Sequence, residues 1–384
     1  MRNAGGYLKN WRARFDKLAP GRTDPWLLIP GLALVALGLL MVLDTTYFLS
    51  IEKTGEPFYF IRRQLFNAAA GVAALILFSR FSARGLRRIA LPLMIVAALM
   101  LIAVWIPGLG VIRGGARRWL KLGPLLAEPS EVVKLAAAFL LAQVLSKRTE
   151  RMNSFVSGPL PAFVIIAPLA AMILRQPDFG STVMLAAVLF AMLFAAGARH
   201  AHLAMAGAGA LALMVFQAVH AAYRMRRLTA FLDPWHAAGG AGFQLVQSYV
   251  ALGAGGGCGV GLGASRQKMF YLPQAHTDFV FSVIGEEFGM VGALAVIALF
   301  AVILWRGMRI AHNEADQFAS LLAVGLTALL SLQAVVNIAV VTGLLPTKGL
   351  PLPFVSYGGT AMVTSMAAIG ALLALARGQA VRCE

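Results

Sequence analysis

Long apolar runs without charge constrain this chain more than any other feature. Residues 27–43 contain no charged side chain, and about 20 apolar residues suffice to cross the roughly 30 Å hydrocarbon core of a bilayer as a helix. The composition agrees, because 59% of the residues are hydrophobic and only 13% are charged, unlike soluble globular chains. The chain is therefore predicted to be an all-α, polytopic membrane protein.

Repeated apolar runs predict about ten transmembrane helices in one membrane domain, residues 27–376. The first run follows a polar, basic tail and lacks a small-residue cleavage site, so it is predicted to be an uncleaved span and not a signal peptide. Short tails, residues 1–26 and 377–384, flank the domain. The predicted spans are 27–43, 62–79, 89–106, 130–146, 160–174, 179–197, 201–221, 279–305, 318–345 and 359–376.

The distribution of positive charge predicts how the chain is oriented. A net charge of +17 would suggest nucleic acid as the partner of a soluble chain, but in a membrane protein Lys and Arg accumulate in cytoplasmic loops. Both tails and alternate short loops carry most of these residues. Both termini are therefore predicted to be cytoplasmic, and no nucleic-acid partner is expected.

Two basic clusters remain on the predicted outer side, where cations are disfavoured. Such cations usually have a partner, and an anionic lipid headgroup or a pyrophosphate is the predicted one. Ordinary contacts with outer-leaflet lipids are the alternative. One cluster follows the third span, and the other lies in or beside a long loop at residues 223–277. Their members are Arg113, Arg117, Arg118, Lys121, Arg224, Arg226, Arg227, Arg266 and Lys268.

Two irregular segments are predicted on the same side. Residues 253–263 are rich in glycine but lack the GxxxxGK[ST] pattern of nucleotide binding, so they are predicted to be a flexible loop or a site of close backbone packing. A short helix is predicted before them, near residues 244–252. Residues 345–359, rich in proline and glycine, are predicted to be either a pocket wall or a rigid turn.

Metal and disulfide chemistry find little support in the sequence. Cys258 and Cys383 are predicted to lie on opposite sides of the membrane, so they cannot form a disulfide. The six histidines show no zinc-ligand spacing. No cofactor is therefore predicted.

A few charged residues lie at or within the spans, where charge is costly and commonly functional. Glu131 and Lys134 begin the fourth span on one helix face and can pair with each other. Asp178 begins the sixth span, where a carboxylate also interacts favourably with the helix dipole. In each case a functional and a purely structural role are both open.

Asp278 is the strongest candidate for a catalytic group. It lies at the outer end of the eighth span, directly after the basic loop. The helix start favours its ionised form, whereas partial burial raises its pKa, and a carboxylate under both influences can take a proton from a hydroxyl. Helix capping is the alternative. Glu286 and Glu287 lie roughly 12–13 Å deeper along a helix and are assigned to structure or to a polar interior path.

Three long stretches resemble one family, the SEDS proteins (shape, elongation, division and sporulation), and the likeness covers essentially the whole chain. Within this family SRQK at 265–268 and PTKGLPLP at 346–353 are typical of division-type members. Glu128 departs from the pattern, because the family usually has glutamine in QPSE. The stretches are GARRWLKLGPLLAEPSEVVKL (115–135), GVGLGASRQKMFYLPQAHTDFVFSVIGEEFGMVG (259–292) and TGLLPTKGLPLPFVSYGGTAM (342–362).

The resemblance implies a peptidoglycan glycosyltransferase in the bacterial cytoplasmic membrane, active at the division septum. Its substrate would be lipid II, a disaccharide-pentapeptide on a polyprenyl pyrophosphate, and its partners a class B penicillin-binding transpeptidase and other divisome membrane proteins. The family's essential aspartate corresponds to Asp278. A divalent cation that bridges the pyrophosphate is a further possibility. The residues predicted to bind substrate are Arg118, Glu131, Lys134, Arg266, Lys268, Lys348 and Ser356.

Two other functions are open at this stage. A lipid II flippase would use polar residues within the spans as its path: Glu286, Glu287, Gln333 and Asn337. A non-catalytic divisome scaffold would need no catalytic aspartate at all.

Overall fold

The structure, a computed structural model, describes residues 23–113, 115–123, 125–219 and 222–382. Within these ranges the chain is mostly helical, which confirms the predicted all-α membrane class. A single 3-10 turn, Thr149–Arg151, adds to the α-helices in this part of the chain. The α-helices are α1 (Pro25–Thr54), α2 (Tyr59–Ser79), α3 (Ala83–Ala103), α4 (Pro129–Leu145), α5 (Leu160–Arg175), α6 (Phe179–Ala195), α7 (His200–Val219), α8 (Ala222–Leu232), α9 (Phe243–Gly255), α10 (Val280–Asn313), α11 (Gln317–Val341) and α12 (Gly359–Arg382).

A helix lies at every predicted span, although the predicted spans 89–106, 179–197 and 318–345 run a few residues past their helices. Of the helices in the described ranges, six are long and apolar enough to cross a membrane: α1, α2, α3, α10, α11 and α12. Helices α5, α6 and α7 are apolar but shorter, and α4 has 17 residues. Multiple membrane crossings are thus established, while the count of ten and the orientation of the termini stay predictions.

The first helix is longer than its apolar run predicts. Asp24 caps it, because its side chain accepts a hydrogen bond from the Trp26 N–H at 3.0 Å. The run ends at Asp44, but Thr45 and Thr46 donate their hydroxyl hydrogens to carbonyls one turn back, at 2.6 Å each. These polar side chains are satisfied within the helix, so α1 continues to Thr54.

The centre of the bundle is formed by α11 and α12. In the most apolar 18-residue window of each, 72% and 83% of the residues are buried within the protein, so these helices contact protein on nearly every side. Helix α12 packs along α2, α10 packs along α11 and α1, and α4 packs along α3 and α11. The outer helices therefore face lipid, and the ends of the central ones support the candidate site.

A small antiparallel sheet follows α3, where a loop was predicted. Its strands pair in the order β1, β2, β3, with an irregularity between Val111 and Ile112. Strands of three to seven residues carry little signal in a sequence, which explains why the pattern did not predict them. The basic residues that follow α3 therefore lie in paired strands and not in a loop. The strands are β1 (Gly110–Arg113), β2 (Ala116–Leu122) and β3 (Leu125–Ala127).

Helix α10 is broken at Gly289, whose φ of 64° and ψ of −161° are not helical. A break leaves backbone groups without their helical partners, and such groups must be paired at membrane depth. The glycine-rich segment 256–261 pairs with them. Val260 and Gly261 donate to the carbonyls of Glu286 and Glu287 at 3.0 Å, and the N–H groups of Met290 and Val291 donate to the carbonyls of residues 256 and 257.

This pairing decides between the two readings of the glycine-rich segment. A Cβ atom on Gly259 would lie 2.1 Å from the carbonyl oxygen of Glu287. Only glycine permits that approach, so the segment is a site of close backbone packing. The predicted short helix before it is confirmed as α9, whereas α8, which contains the basic run at 223–227, had been assigned to loop.

The two cysteines and the basic N-terminal tail are only partly described. Cys258 is exposed and has a free thiol, whereas Cys383 lies outside the described residues, as do residues 1–22 of the basic tail. The absence of a disulfide between Cys258 and Cys383 therefore stays a prediction.

Replacing Gly289 with alanine should destabilise the protein. The φ and ψ values at this position are essentially restricted to glycine, at a cost of about 1–3 kcal/mol for another residue, and the new Cβ would lie 2.4 Å from the Gly259 nitrogen. We expect a lower Tm in thermal unfolding of the purified protein. Gly253→Ala is the matched control, because a Cβ there meets no atom within 4 Å. An equal Tm for the two variants would contradict the role of the break.

Candidate functional site

Asp278 lies two residues before α10, at the end of the bundle predicted to face outward. Its main-chain carbonyl accepts a hydrogen bond from the Asn337 side-chain amide at 2.8 Å, and the same amide donates to the carbonyl of Leu350 at 2.7 Å. Helix α11 thereby ties the start of α10 to the proline-rich segment 345–359. A Cβ placed on Gly349 would lie 3.0 Å from a carboxylate oxygen of Asp278, so this segment forms a wall beside the carboxyl group.

Further hydrogen bonds fix this wall against the residues before Asp278. The hydroxyl of Ser356 donates to the Thr277 carbonyl at 2.5 Å and accepts the Leu352 N–H at 2.8 Å. The N–H of Tyr357 donates to the carbonyl of His276 at 2.9 Å. These bonds hold segment 345–359 beside Asp278, while the choice between the predicted pocket wall and a rigid turn stays open. Ser356 holds that wall in place, and its predicted contact with substrate stays a prediction.

Cationic side chains of two other elements act electrostatically on the Asp278 carboxyl group. Burial raises the pKa of Asp278 to about 7, and a nearby carboxylate, Asp178, acts in the same direction. The guanidinium groups of Arg227 and Arg118 oppose this rise. The pKa of about 7 therefore places Asp278 where it can accept and release a proton near neutral pH.

Backbone carbonyls position these arginines. Arg118, on β2, donates to the carbonyl of Gln176 at 2.9 Å and to that of Pro177, at the start of α6. Arg227, on α8, donates to the carbonyl of Thr347 at 3.4 Å. The small sheet, α8 and segment 345–359 therefore meet around Asp278.

Lys348 lies in the same wall. Its ammonium nitrogen lies 4.7 Å from the centre of the Phe179 ring, a cation–π contact. Burial lowers its pKa. Asp178, next to that ring, caps α6 by accepting the Ser181 N–H at 3.1 Å, so its predicted role at a helix start is confirmed.

The predicted pair at the start of α4 is present and deeply buried. Lys134 donates to Glu131 at 2.6 Å and to the Gln333 side-chain oxygen at 2.9 Å. Both charged side chains are at least 95% buried. The pairing that the sequence predicted is thus confirmed, while the predicted contact of these side chains with substrate stays a prediction.

Glu128, the departure from the family pattern, belongs to the same region. Its N–H donates to the Thr360 hydroxyl at 2.9 Å. Burial raises the pKa of Glu128 to about 8, and the carboxylates of Asp178 and Glu131 add to this rise against Lys134 and Arg118. Glu128 is therefore mostly uncharged at neutral pH, when it resembles the glutamine of the family pattern.

Residues 265–268 lie elsewhere. Lys268 is buried and paired with Asp44 of α1 at 2.5 Å and with Glu287 of α10 at 2.9 Å. The side chain of Arg266 is exposed, and its N–H donates to Glu286 at 3.0 Å. The structure does not bring either cation into the group around Asp278, and their predicted contact with substrate stays a prediction.

Arg227 and Asn337 are the residues that the sequence-based site omitted. Arg227 was only one member of a basic cluster, and Asn337 was assigned to a polar path. The basic run now seen in α8 offered a signal for Arg227, because a helical period would have separated the basic residues of one helix face from the others. No local pattern pointed to Asn337, because its partners are far away in sequence. The completed site can hold an anionic group beside an acid that exchanges a proton near neutral pH.

Comparison with known proteins identifies the family of this chain. The model of the FtsW/RodA/SpoVE family, described as cell cycle protein, matches residues 25–380. "Probable peptidoglycan glycosyltransferase FtsW" of Trichlorobacter lovleyi is 42% identical over 355 residues, which cover 92% of this chain and 93% of the relative. "Stage V sporulation protein E" of Bacillus subtilis is 40% identical over 354 residues, which cover 92% and 97%.

Solved structures show the same fold. One chain, from the structure described as "Structural coordination of polymerization and crosslinking by a peptidoglycan synthase complex", is 29% identical and has a TM-score of 0.76, covering 94% of this chain and 99% of that one. The rod shape determining protein RodA of Thermus thermophilus is 28% identical with a TM-score of 0.67, covering 93% and 97%. With a family match over nearly its whole length, this chain belongs to the FtsW/RodA/SpoVE family of cell cycle proteins.

Proposed function

We propose that this chain is a peptidoglycan glycosyltransferase that polymerises lipid II into glycan strands during cell division, at the outer face of the bacterial cytoplasmic membrane. The observation that carries the proposal is a buried acid before α10, Asp278, which lies beside segment 345–359 and has a pKa of about 7, because burial raises it and Arg227 and Arg118 oppose that rise. The names of the relatives, which include peptidoglycan glycosyltransferases, support the same activity.

The reaction joins an acceptor hydroxyl to the sugar carbon that carries the pyrophosphate. Asp278 removes the hydroxyl proton as the oxygen attacks, the new glycosidic bond forms, and the bond to the pyrophosphate breaks with its electron pair on the leaving oxygen. Asp278 then releases the proton to water. A carboxyl group with a pKa near the working pH can both accept the hydroxyl proton and release it to water.

The cations would stabilise the leaving group. Pyrophosphate carries at least two negative charges when it departs, and Arg118, Arg227 and Lys348 would stabilise that charge. A divalent cation bound with the pyrophosphate would add to this charge stabilisation; the described residues include no group of three or more His, Cys, Asp or Glu side chains arranged to hold a metal. The polyprenyl chains would remain in the lipid between helices.

The comparison with solved structures supports a transpeptidase partner. The structural neighbour belongs to a peptidoglycan synthase complex that coordinates polymerization and crosslinking. For this chain we propose a class B penicillin-binding transpeptidase as the partner that crosslinks the strands, within the divisome and with both termini of this chain in the cytoplasm.

Polar residues that a flippase would need make hydrogen bonds within the protein, although one carboxylate oxygen of Glu287 and the side-chain oxygen of Asn337 lack a partner among the described residues. Glu286 accepts hydrogen bonds from Ser265 and the Arg266 N–H. Gln333 bonds Lys134 and the carbonyl of Pro351. Asn337 ties two backbone segments together. These bonds favour a static framework over a polar transport path.

Asp278→Asn should reduce strand synthesis by about 10²–10⁴-fold, the usual contribution of a general base. The full chain, reconstituted in liposomes with its transpeptidase partner and labelled lipid II, provides the assay, with polymer length read on gels. Asp233→Asn is the matched control, because Asp233 is an exposed acid of the same long loop. Undiminished synthesis by Asp278→Asn would remove the proposed base. Transport without synthesis by the wild type would favour the flippase.

Arg227→Gln should raise KM for lipid II and also lower kcat, because the guanidinium would bind the pyrophosphate and then stabilise the charge added as it departs. Hydrogen bonds to charged groups contribute about 1.5–3 kcal/mol, which corresponds to roughly 10-fold to 150-fold weaker binding. Arg226→Gln is the control, since its exposed side chain precedes Arg227 on the same helix. Equal KM values for the two variants would exclude Arg227 from the substrate site.

The pH profile should separate Asp278 from Glu128. Asp278 must be ionised to act as a base, so activity should rise as pH increases through about 7. Glu128 becomes charged as pH increases through about 8, and a new negative charge beside Arg118 should weaken binding of the anionic substrate. The rate at low lipid II should therefore fall again on the alkaline side. Glu128→Gln should lose this alkaline fall and keep the acid limb, whereas an unchanged profile would contradict the role of Glu128.

A further inference from the structure

Helix α8, in the long loop, exposes large apolar side chains that the candidate site does not use. Leu228 and Leu232 lie four residues apart and are 37% and 76% exposed. Trp235, in the turn that follows the helix, is 62% exposed. Residues four and seven positions apart lie on the same side of a helix. These three side chains therefore line up as one apolar surface, the α8 stripe.

The other sides of α8 have a different character. Arg226 and Thr229 are exposed, and at about 100° per residue they lie on a side away from the stripe. Ala230 is buried and Arg227 is half-buried, so their side of the helix faces the protein. Helix α8 thus has a protein side, a polar side and an apolar side. This division is typical of a helix that lies on a membrane surface, with its apolar side among acyl chains and its polar side in water.

The height of α8 relative to the membrane follows from its contact with segment 345–359. Helix α11 has 25 residues, about 37 Å at 1.5 Å per residue, which exceeds the roughly 30 Å hydrocarbon core of a bilayer. Thr347 follows the end of α11, and its carbonyl accepts the hydrogen bond from Arg227 at 3.4 Å. Helix α8 therefore lies near the boundary of the hydrocarbon core, on the side predicted to face outward.

The α8 stripe also continues a surface that faces lipid. The apolar helix α7 precedes α8 with two residues between them, and the two helices pack together. Near its end α7 exposes Val215, Phe216 and Val219. A helix that begins where an apolar helix leaves the bilayer lies at the interface, and tryptophan is enriched there. Lipid is therefore the occupant of the stripe that these observations favour over a protein.

We propose that α8 lies on the outer leaflet with its stripe among the acyl chains of lipids, and that this contact holds Arg227 in the candidate site. Arg227 and the stripe belong to one short helix, so a rotation that removes Leu228 and Leu232 from lipid would also move the guanidinium group. The contact with lipid stands apart from the proposed function. Its effect on substrate binding rests on that function.

The accessibility of a spin label tests where α8 lies. Leu232→Cys and Thr229→Cys, each in the full chain with Cys258→Ser and Cys383→Ser, would carry a nitroxide in vesicles of phosphatidylethanolamine and phosphatidylglycerol. The label at position 232 should collide with oxygen, which concentrates in the bilayer, and should be protected from a water-soluble nickel chelate. The label at position 229 should show the opposite preference. Leu228→Cys provides a second position on the stripe.

Two results would overturn the contact with lipid. Equal access of the nickel chelate to positions 229 and 232 would mean that the stripe lies in water. Protection of position 232 from both reagents, but only after the transpeptidase partner is added, would mean that the stripe is a protein interface.

Binding of labelled lipid II to the same vesicles tests the link to Arg227. Leu232→Glu places a charge among the acyl chains and should weaken binding by roughly 10-fold, the smallest loss expected when a hydrogen bond to a charged group is removed. Because Leu232 acts through Arg227, the double variant Leu232→Glu/Arg227→Gln should bind no more weakly than Arg227→Gln alone. Thr229→Glu, on the polar side of the same helix, is the matched control and should bind as the wild type does.

The possible failures are distinguishable. Additive losses in the double variant, equal affinities of Leu232→Glu and Thr229→Glu, or an unchanged affinity of Arg227→Gln would each disprove the link and leave the contact with lipid standing. Neither measurement requires polymer synthesis, so an absence of synthesis would count against the proposed function alone.

Discussion

Backbone polar groups inside a membrane must all form hydrogen bonds. In this protein the position of the candidate site depends on how the backbone groups at the break in α10 are paired. Gly289 interrupts the helix, and the glycine-rich segment supplies the missing partners through four backbone hydrogen bonds. These bonds pack the long loop against α10, so it is not a free surface loop. The short helical piece before the break begins just after Asp278, so pairing at one end of that piece fixes the position of the acid at the other.

A second set of bonds holds the opposite wall. Asn337 of α11 reaches both the carbonyl of Asp278 and that of Leu350, and Ser356 bonds Thr277. Since α11 and α12 are the most buried helices, these ties connect the site to the most rigid part of the bundle. The carboxyl group of Asp278 therefore lies on a fixed framework, although both segments beside it are irregular.

The sequence predicted the parts of this arrangement that depend on local or compositional signals. Apolar runs located the helices, the 244–252 pattern located α9, and the three-residue spacing of Glu131 and Lys134 predicted their ion pair. It did not predict the three-stranded sheet, because short strands have weak patterns, nor the break at Gly289, because apolar periodicity continues through it. Asn337 and Arg227 join the site only through contacts with residues distant in sequence, and no local pattern encodes those.

The partners of each cation decide which ones retain charge for an anionic substrate. Arg118 donates to the backbone carbonyls of Gln176 and Pro177, which are neutral, so these bonds orient its guanidinium group and leave its positive charge in place. Lys268 lies between carboxylates that cancel its charge, although SRQK is among the most specific stretches in the sequence. A motif shows only that a side chain is required. The charge of the neighbouring groups indicates whether that side chain binds a ligand or stabilises the fold. Because carboxylates neutralise Lys268, this residue belongs to the framework that holds the loop.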